Sequence, residues 1–311
     1  MIKEYAIDPE LLSNWQNFRY LTEQFGISKG KLIAEYPKRW RKLVYDALTH
    51  CKTMEKKRIE ERLTLMSKRR DKLSARLCPC QWQDEISWLE NAIHEHALHP
   101  FDAIISETNP DQLPFVLINE TLDEEEPLWQ SSTMIEIKRD AALIAKTLSP
   151  LLHRSQTLTL IDPHFSPFSE RWYRPLIELT TTWHQGIIAK KNQNVALIFH
   201  LLGDNPKRSK PDRNGFYQGC QNFVEQLPPN ISIHFYRWSE TDWSNNIHDR
   251  FILTDRGGVQ FSIGLDASTN PNETTLITLL EEPIYQSVSQ RFDPQNSHYR
   301  LVDEIKISLE L

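Results

Sequence analysis

The sequence predicts an α/β C-terminal domain, with a mixed or parallel sheet flanked by helices, joined to a mainly α-helical N-terminal domain. Three observations carry this. Apolar residues recur at three- and four-residue steps through most of the first hundred positions, the period of one helix face. From residue 158 onward, short β-branched and aromatic runs alternate with helical stretches, the pattern of strands and crossovers in one α/β layer. Between the two lies Asp123-Glu124-Glu125-Glu126-Pro127, too charged to enter a core. The expected division is a helical domain at 1–122, an acidic linker at 123–132 and the α/β domain at 133–311.

In order, residues 2–7 suit a short strand. Asp8-Pro9 is a helix start, with Asp as cap and Pro at the first helical position. The helix carries Leu11, Trp15, Phe18, Leu21 and Phe25, and Gly26 ends it. Further helices are expected at about 38–51, at 53–77 and at 83–98, the second of these closed by Cys78-Pro79-Cys80. Strands follow at 101–106 and 115–118. A helix at 133–152 opens the second domain. Strands at 158–161, 195–202 and 231–236 then alternate with helices at 168–185 and 215–227. A hairpin spans 247–265, Arg256-Gly257-Gly258 supplying its turn. A strand at 275–280 and a short helix after Pro283 complete the chain.

Charge is unevenly spread along the 311 residues, whose net is −6. Residues 38–76 hold 14 Lys/Arg against 5 Asp/Glu, a local net of +9. Lys38, Arg39, Arg41, Lys42, Lys68, Arg69 and Arg70 are the candidates there for contact with a nucleic-acid backbone; the duller reading is a solvated helical face. No apolar run approaches the ~18 residues of a membrane helix, and the chain opens on Lys3 and Glu4 rather than an apolar leader. A cytoplasmic protein with reduced thiols and no membrane span is expected. Cys78 and Cys80, with His94, His96 and His99, are metal-ligand residue types, but His94 and His96 face apart on a helix; no metal and no cofactor are expected. With only 9 Gly, Gly-rich phosphate and dinucleotide loops are effectively excluded.

The chemistry gathers in Ile247-His248-Asp249-Arg250-Phe251-Ile252-Leu253-Thr254-Asp255. On a strand, His248 and Arg250 share a face. Imidazole can attack phosphorus or shuttle a proton near neutral pH, and a guanidinium fork matches phosphate oxygens. His248-x-Arg250, four residues, then Asp255 resembles the signature of the phospholipase D superfamily, with Arg250 where that family has Lys. Ser262 and Gly264-Leu265 stand loosely for its Gly-Ser element, Asn272-Glu273 for its Asn/Glu element, and Asp162-Pro163-His164 for an early strand end. The resemblance covers roughly 133–311.

It implies a metal-independent phosphodiesterase, a nuclease acting on DNA more than RNA. His248 would be the nucleophile or the acid/base, Arg250 the phosphate clamp, Asp255 the group orienting the imidazole and Glu273 a support. Asp162, His164, Ser262, Asn272 and the basic loop Lys207, Arg208 and Lys210 would contact substrate. A single motif implies a homodimer or a place in a larger complex, unless His164 or His234 supplies the second imidazole. By analogy the setting is restriction or phage defence. Two alternatives are a catalytically inactive module holding phosphate of nucleic acid, nucleotide or lipid, and an adaptor subunit with Trp15, Phe18 and Phe25 partly exposed.

Overall fold

The computed structural model describes residues 1–76, 78, 80–189, 195–204, 210–239, 248–295 and 299–308. The chain forms two compact units, Met1–Thr133 and Met134–Leu311.

Unit 1 contains β1 (Lys3–Ile7), α1 (Trp15–Glu23), β2 (Lys31–Ala34), α2 (Trp40–Ala47), α3 (Thr53–Arg69), β3 (Leu73–Ser74), α4 (Trp88–Leu98), β4 (Ala103–Ser106) and β5 (Val116–Ile118). Its strands make one five-stranded sheet in the order β3-β2-β1-β4-β5, with every pairing parallel. This corrects the expectation of a mainly helical N-terminal domain: it is α/β. A parallel sheet is covered on both faces, so its strands read as unbroken apolar runs without the two-residue alternation that marks a strand. β2 and β4 are buried at every position, and β3 is only two residues long.

The helices are shorter than their apolar stripes imply. Pro9–Ser13 is a 3-10 turn, and α1 starts only where Asn14 accepts hydrogen bonds from the backbones of Gln16 and Asn17. α3 ends when Arg70 turns left-handed, at φ 58°. α4 begins at a reciprocal capping box between Ser87 and Glu90.

The acidic stretch 123–132 is part of unit 1 and no linker. Trp129 is buried and packs edge-on against Tyr5 and Phe25, the Lys31 ammonium lies 3.6 Å over its ring, and Tyr5 donates to the Leu128 carbonyl at 2.7 Å. The indole outweighs its acidic neighbours, because burying one large aromatic is worth ~2–3 kcal/mol. Phe18 and Phe25 are likewise core residues, 1% exposed, so of the three aromatics expected at an adaptor surface only Trp15 is partly exposed.

Unit 2 contains β6 (Met134–Lys138), α5 (Ala141–Leu152), β7 (Leu158–Ile161), α6 (Glu170–Ala189), β8 (Val195–Asp204), α7 (Arg213–Cys220), β9 (Ile231–Ser239), β10 (Arg250–Thr254), β11 (Gly257–Phe261), β12 (Thr274–Leu279), α8 (Glu282–Arg291) and β13 (Arg300–Ser308). The eight strands follow the order β13-β9-β8-β7-β10-β11-β12-β6. β7, β8 and β9 pair in parallel and the remaining neighbours run antiparallel, so the mixed sheet with flanking helices is present. Two strands were not expected. β6 occupies the start of the helix anticipated at 133–152: Ile135 and Ile137 alternate with Glu136 and Lys138, and the segment pairs along β12. β13 closes the other edge against β9. No helix among the described residues is long and apolar enough to cross a membrane.

Candidate functional site

In an open α/β layer, ligands meet the carboxyl ends of the parallel strands. β7 ends there in Asp162-Pro163. Pro163 has no N–H to continue the ladder, so pairing with β10 stops at Phe251 opposite Ile161. β10 therefore starts at Arg250, beside Asp162. His248 lies before the strand, exposed, and does not share a strand face with Arg250 as the spacing suggested. The Nε of Arg250 is buried without a hydrogen-bond partner among the described residues.

Asp162 anchors this edge. It is fully buried; its Oδ1 accepts the backbone N–H of His164 at 2.9 Å and its Oδ2 that of Leu265 at 2.8 Å. Burial pushes its carboxyl up to about 6, against those two hydrogen bonds and the Arg250 charge, which pull it down. Asp266, also buried, adds repulsion. Gly264 is squeezed between the two carboxylates. A Cβ there would lie 2.3 Å from Asp266 Oδ1 and 3.4 Å from Asp162 Oδ2, so a larger residue cannot occupy it without displacing Asp266.

Asp266 extends the cluster. It accepts from Arg139 at 2.5 Å and from the Arg171 Nε, and Arg139 donates its other branch to Glu273 at 2.9 Å. A hydrogen bond from Ser268, then the charges of Arg139 and Arg171, hold the exposed Glu273 carboxyl below its usual range. Glu273 thus sits in the outer part of an ionic network that reaches Asp162 through Asp266. Arg139, Arg171 and Asp266 were not singled out in the sequence. Arg139 follows the strand β6 that was read as helix, Arg171 lies in the first turn of α6, and only chain folding brings them to Asp266.

Asp255 does not orient His248. It sits beyond the opposite end of β10, about 16 Å from Arg250 at ~3.3 Å per strand residue. There its Oδ1 accepts the backbone N–H groups of Gln156 and Thr157 at 2.6 and 3.2 Å. The motif spacing places it one strand length away, where a carboxylate is useful for ending the α5–β7 loop. Ser262 turns to β12, its Oγ accepting from the Leu276 backbone at 3.0 Å. Asn272 is an exposed turn residue whose N–H bonds the Asn270 side chain. Neither faces Asp162.

Lys210 does reach this edge, its ammonium donating to the Pro163 carbonyl at 3.3 Å; Lys207 and Arg208 lie outside the described residues. Arg237 holds this part of the chain by donating to the carbonyls of Gly203, Pro211 and Asp212 at 3.1, 2.6 and 3.1 Å. His164 lies in the turn after Asp162. His234 lies on β9, three strands from β10, with Nδ1 3.6 Å from Glu304. His200, beside Asp162, is buried among Tyr236, Trp238 and Phe292. Its Nδ1 accepts the Trp238 indole N–H at 3.0 Å, and burial pushes its pKa down to about 3. It is a neutral core group.

The basic residues of unit 1 form no single stripe. Lys38, Arg39, Arg41 and Lys42 follow the carboxyl end of β2, whereas Lys68, Arg69 and Arg70 precede β3 at the amino ends of the strands. All are exposed, but Arg39 pairs with Asp84 and Arg41 with Glu35 at 2.7 Å. The cysteine pair is placed differently from expectation. Cys78, Cys80 and the buried Glu95 converge, their donor atoms all within 4.8 Å of one another. His96 stacks on Phe115 at 4.0 Å and His94 is exposed.

No protein-family model matches the sequence, and no curated protein matches it. Among solved structures, the crystal structure of polyphosphate kinase from Porphyromonas gingivalis is similar with a TM-score of 0.32 and 10% identity, over 54% of this chain and 27% of that one.

Proposed function

We propose that unit 2 handles phosphate esters at the edge formed by Asp162, His248, Arg250 and Lys210, and that it cleaves phosphodiesters without a metal in the reaction. One observation carries the reading: the half-buried Arg250 opens β10 beside the carboxyl end of β7 and Asp162, with an exposed imidazole two residues before it. A phosphate there would take the Arg250 fork and the Lys210 ammonium. A ring nitrogen of His248 bonds phosphorus as the bond to the leaving alcohol breaks, and a second imidazole, from His164 or from another copy of the chain, protonates that alcohol. Water then splits the phospho-histidine and restores His248. The proposed natural substrate is DNA; a restriction or phage-defence setting rests on the resemblance alone.

The test is hydrolysis of bis(p-nitrophenyl) phosphate and of DNA and RNA with no divalent metal added. Wild type is expected to turn over, and His248→Ala to lose about 10³-fold or more. One observation favours a second reading, a phosphate-binding module without turnover: Asp255 is bonded elsewhere, and among the described residues no side chain hydrogen-bonds His248. No cleavage by wild type, together with DNA binding that weakens in Arg250→Ala, would establish that reading in place of the first.

A further inference from the structure

Unit 1 holds a donor set that the phosphate chemistry does not use. Cys78 Sγ, Cys80 Sγ and a Glu95 carboxylate oxygen lie within 4.8 Å of one another, Cys78 Sγ being 3.6 Å from Glu95 Oε1. One turn beyond Glu95, on the same helix face, His99 brings Nδ1 to 3.1 Å from that same oxygen. Around a tetrahedral ion with ~2.3 Å sulfur and ~2.0–2.2 Å oxygen or nitrogen bonds, donors stand about 3.4–3.8 Å apart. Cys78, Cys80 and Glu95 close onto that geometry by small side-chain adjustments, and His99, which stands outside their 4.8 Å compass, completes the set by turning its ring from Glu95 toward the ion.

We infer that Cys78, Cys80, Glu95 and His99 form a binding site for one Zn²⁺ ion. Two sulfurs with a carboxylate and an imidazole select a borderline-soft ion over magnesium or calcium. Charge supports it as well. With both thiols ionised the donors carry three negative charges and Glu4 a fourth, against the single Arg76 guanidinium 3.3 Å from Glu95, and a divalent ion cuts that excess from three charges to one. Arg76 is itself buried and bonded to Glu4 at 3.2 Å and to the His99 carbonyl. It therefore serves as a fixed outer partner of the ligands and is not a rival that must leave. All four donors come from protein, so the site is closed and structural: it ties the segment after β3 to the last turn of α4.

The test uses the full chain, reduced, stripped of metal and titrated with Co²⁺. The expected result is one ion per chain with intense sulfur-to-cobalt charge-transfer absorption and tetrahedral visible bands, displaced by Zn²⁺. Cys78→Ser and Cys80→Ser should each lower the charge-transfer intensity by about half, and should weaken Zn²⁺ binding by more than the ~100-fold that loss of an outer partner costs. Cys51→Ser and Cys220→Ser should leave both readouts unchanged. Absence of metal uptake by the reduced wild type overturns the inference. So does uptake without charge-transfer absorption, or absorption that persists when Cys78 and Cys80 are both replaced. The wild-type spectrum decides even where a variant fails to fold.

Discussion

The two units each bury a cluster of charge, and the clusters differ in composition. Around Glu95 in unit 1, one guanidinium, Arg76, meets two carboxylates and two thiols. Around Asp266 in unit 2, Arg139 and Arg171 share that carboxylate, and Arg250 adds a third guanidinium next to Asp162. The first has donor atoms in excess and suits a cation. The second is balanced, three guanidiniums against the carboxylates of Asp162, Asp266 and Glu273, and Lys210 at its edge tips it toward an anion. The sign of the ligand that a buried ionic cluster accepts follows from which partner is in surplus, because an isolated buried charge costs several kcal/mol and the surplus must be met somehow.

The largest effect should come from removing the carboxylate at the centre of the second cluster. Asp266→Ala leaves Arg139, 5% exposed at its side chain, with Glu273 alone, and should cost about 3–5 kcal/mol in urea unfolding. A cost near zero would mean that the Asp266 carboxylate does not hold Arg139 and Arg171 in place.

The pH dependence of unit 2 comes next. The Asp162 carboxyl is raised from 3.8 to about 6, so its folded pKa lies above its unfolded one. Stability linked to it is complete below about pH 4 and is lost as pH rises through 6, a change of about 3 kcal/mol at ~1.4 kcal/mol per unit. His200 works in the other direction. Lowered from 6.5 to about 3, it contributes fully above 6.5 and loses that contribution as the solution is acidified. The two slopes oppose between pH 4 and 6. Unfolding midpoints across that range should therefore vary less in wild type than in either variant. They should fall on acidification in Asp162→Asn, and fall with rising pH in His200→Phe; parallel profiles in all three proteins would contradict the assignment.

Gly264→Ala should be milder, about 1–3 kcal/mol, since its Cβ would meet Asp266 Oδ1 at 2.3 Å. Thermal unfolding of the variant measures how firmly the two carboxylates are held together. The smallest effect is expected at Asp255→Ala, about 1 kcal/mol for two lost backbone bonds, with hydrolysis per folded molecule unchanged. A large drop in that rate would restore Asp255 to the chemistry.

The hairpin at 250–261 was legible because apolar, β-branched and aromatic runs flank the Arg256-Gly257-Gly258 turn. Asp162 and Glu273 were legible as polar residues at strand ends. In unit 1, β1, β4 and β5 were legible as strands, but β2 and β3 were not, and so neither was the five-stranded sheet. Its strands are two to five residues long and largely buried, and a short buried run between helices carries no period of its own. Arg139 was hidden by a strand mistaken for the start of a helix, and Arg171 by helix α6, whose surface is charged elsewhere too. Asp255 was misplaced because motif spacing counts residues and takes no account of the direction a strand carries them. Cys78 and Cys80 were weighed against the nearest histidines in sequence, while the buried partner was a glutamate one turn from His99.

The strand order of unit 1 has a consequence for how the protein is made. β1 is the central strand, and its Tyr5, Ala6 and Ile7 are wholly buried. It pairs with β2 on one side, but its other neighbour is β4, in which Ala103 sits opposite Tyr5. During synthesis at ~5–20 residues per second, roughly 5–20 seconds pass between the emergence of these two segments. Throughout that interval β1 has one bare edge and no finished sheet to shelter it. The nascent chain should therefore depend on chaperones more than the finished protein does.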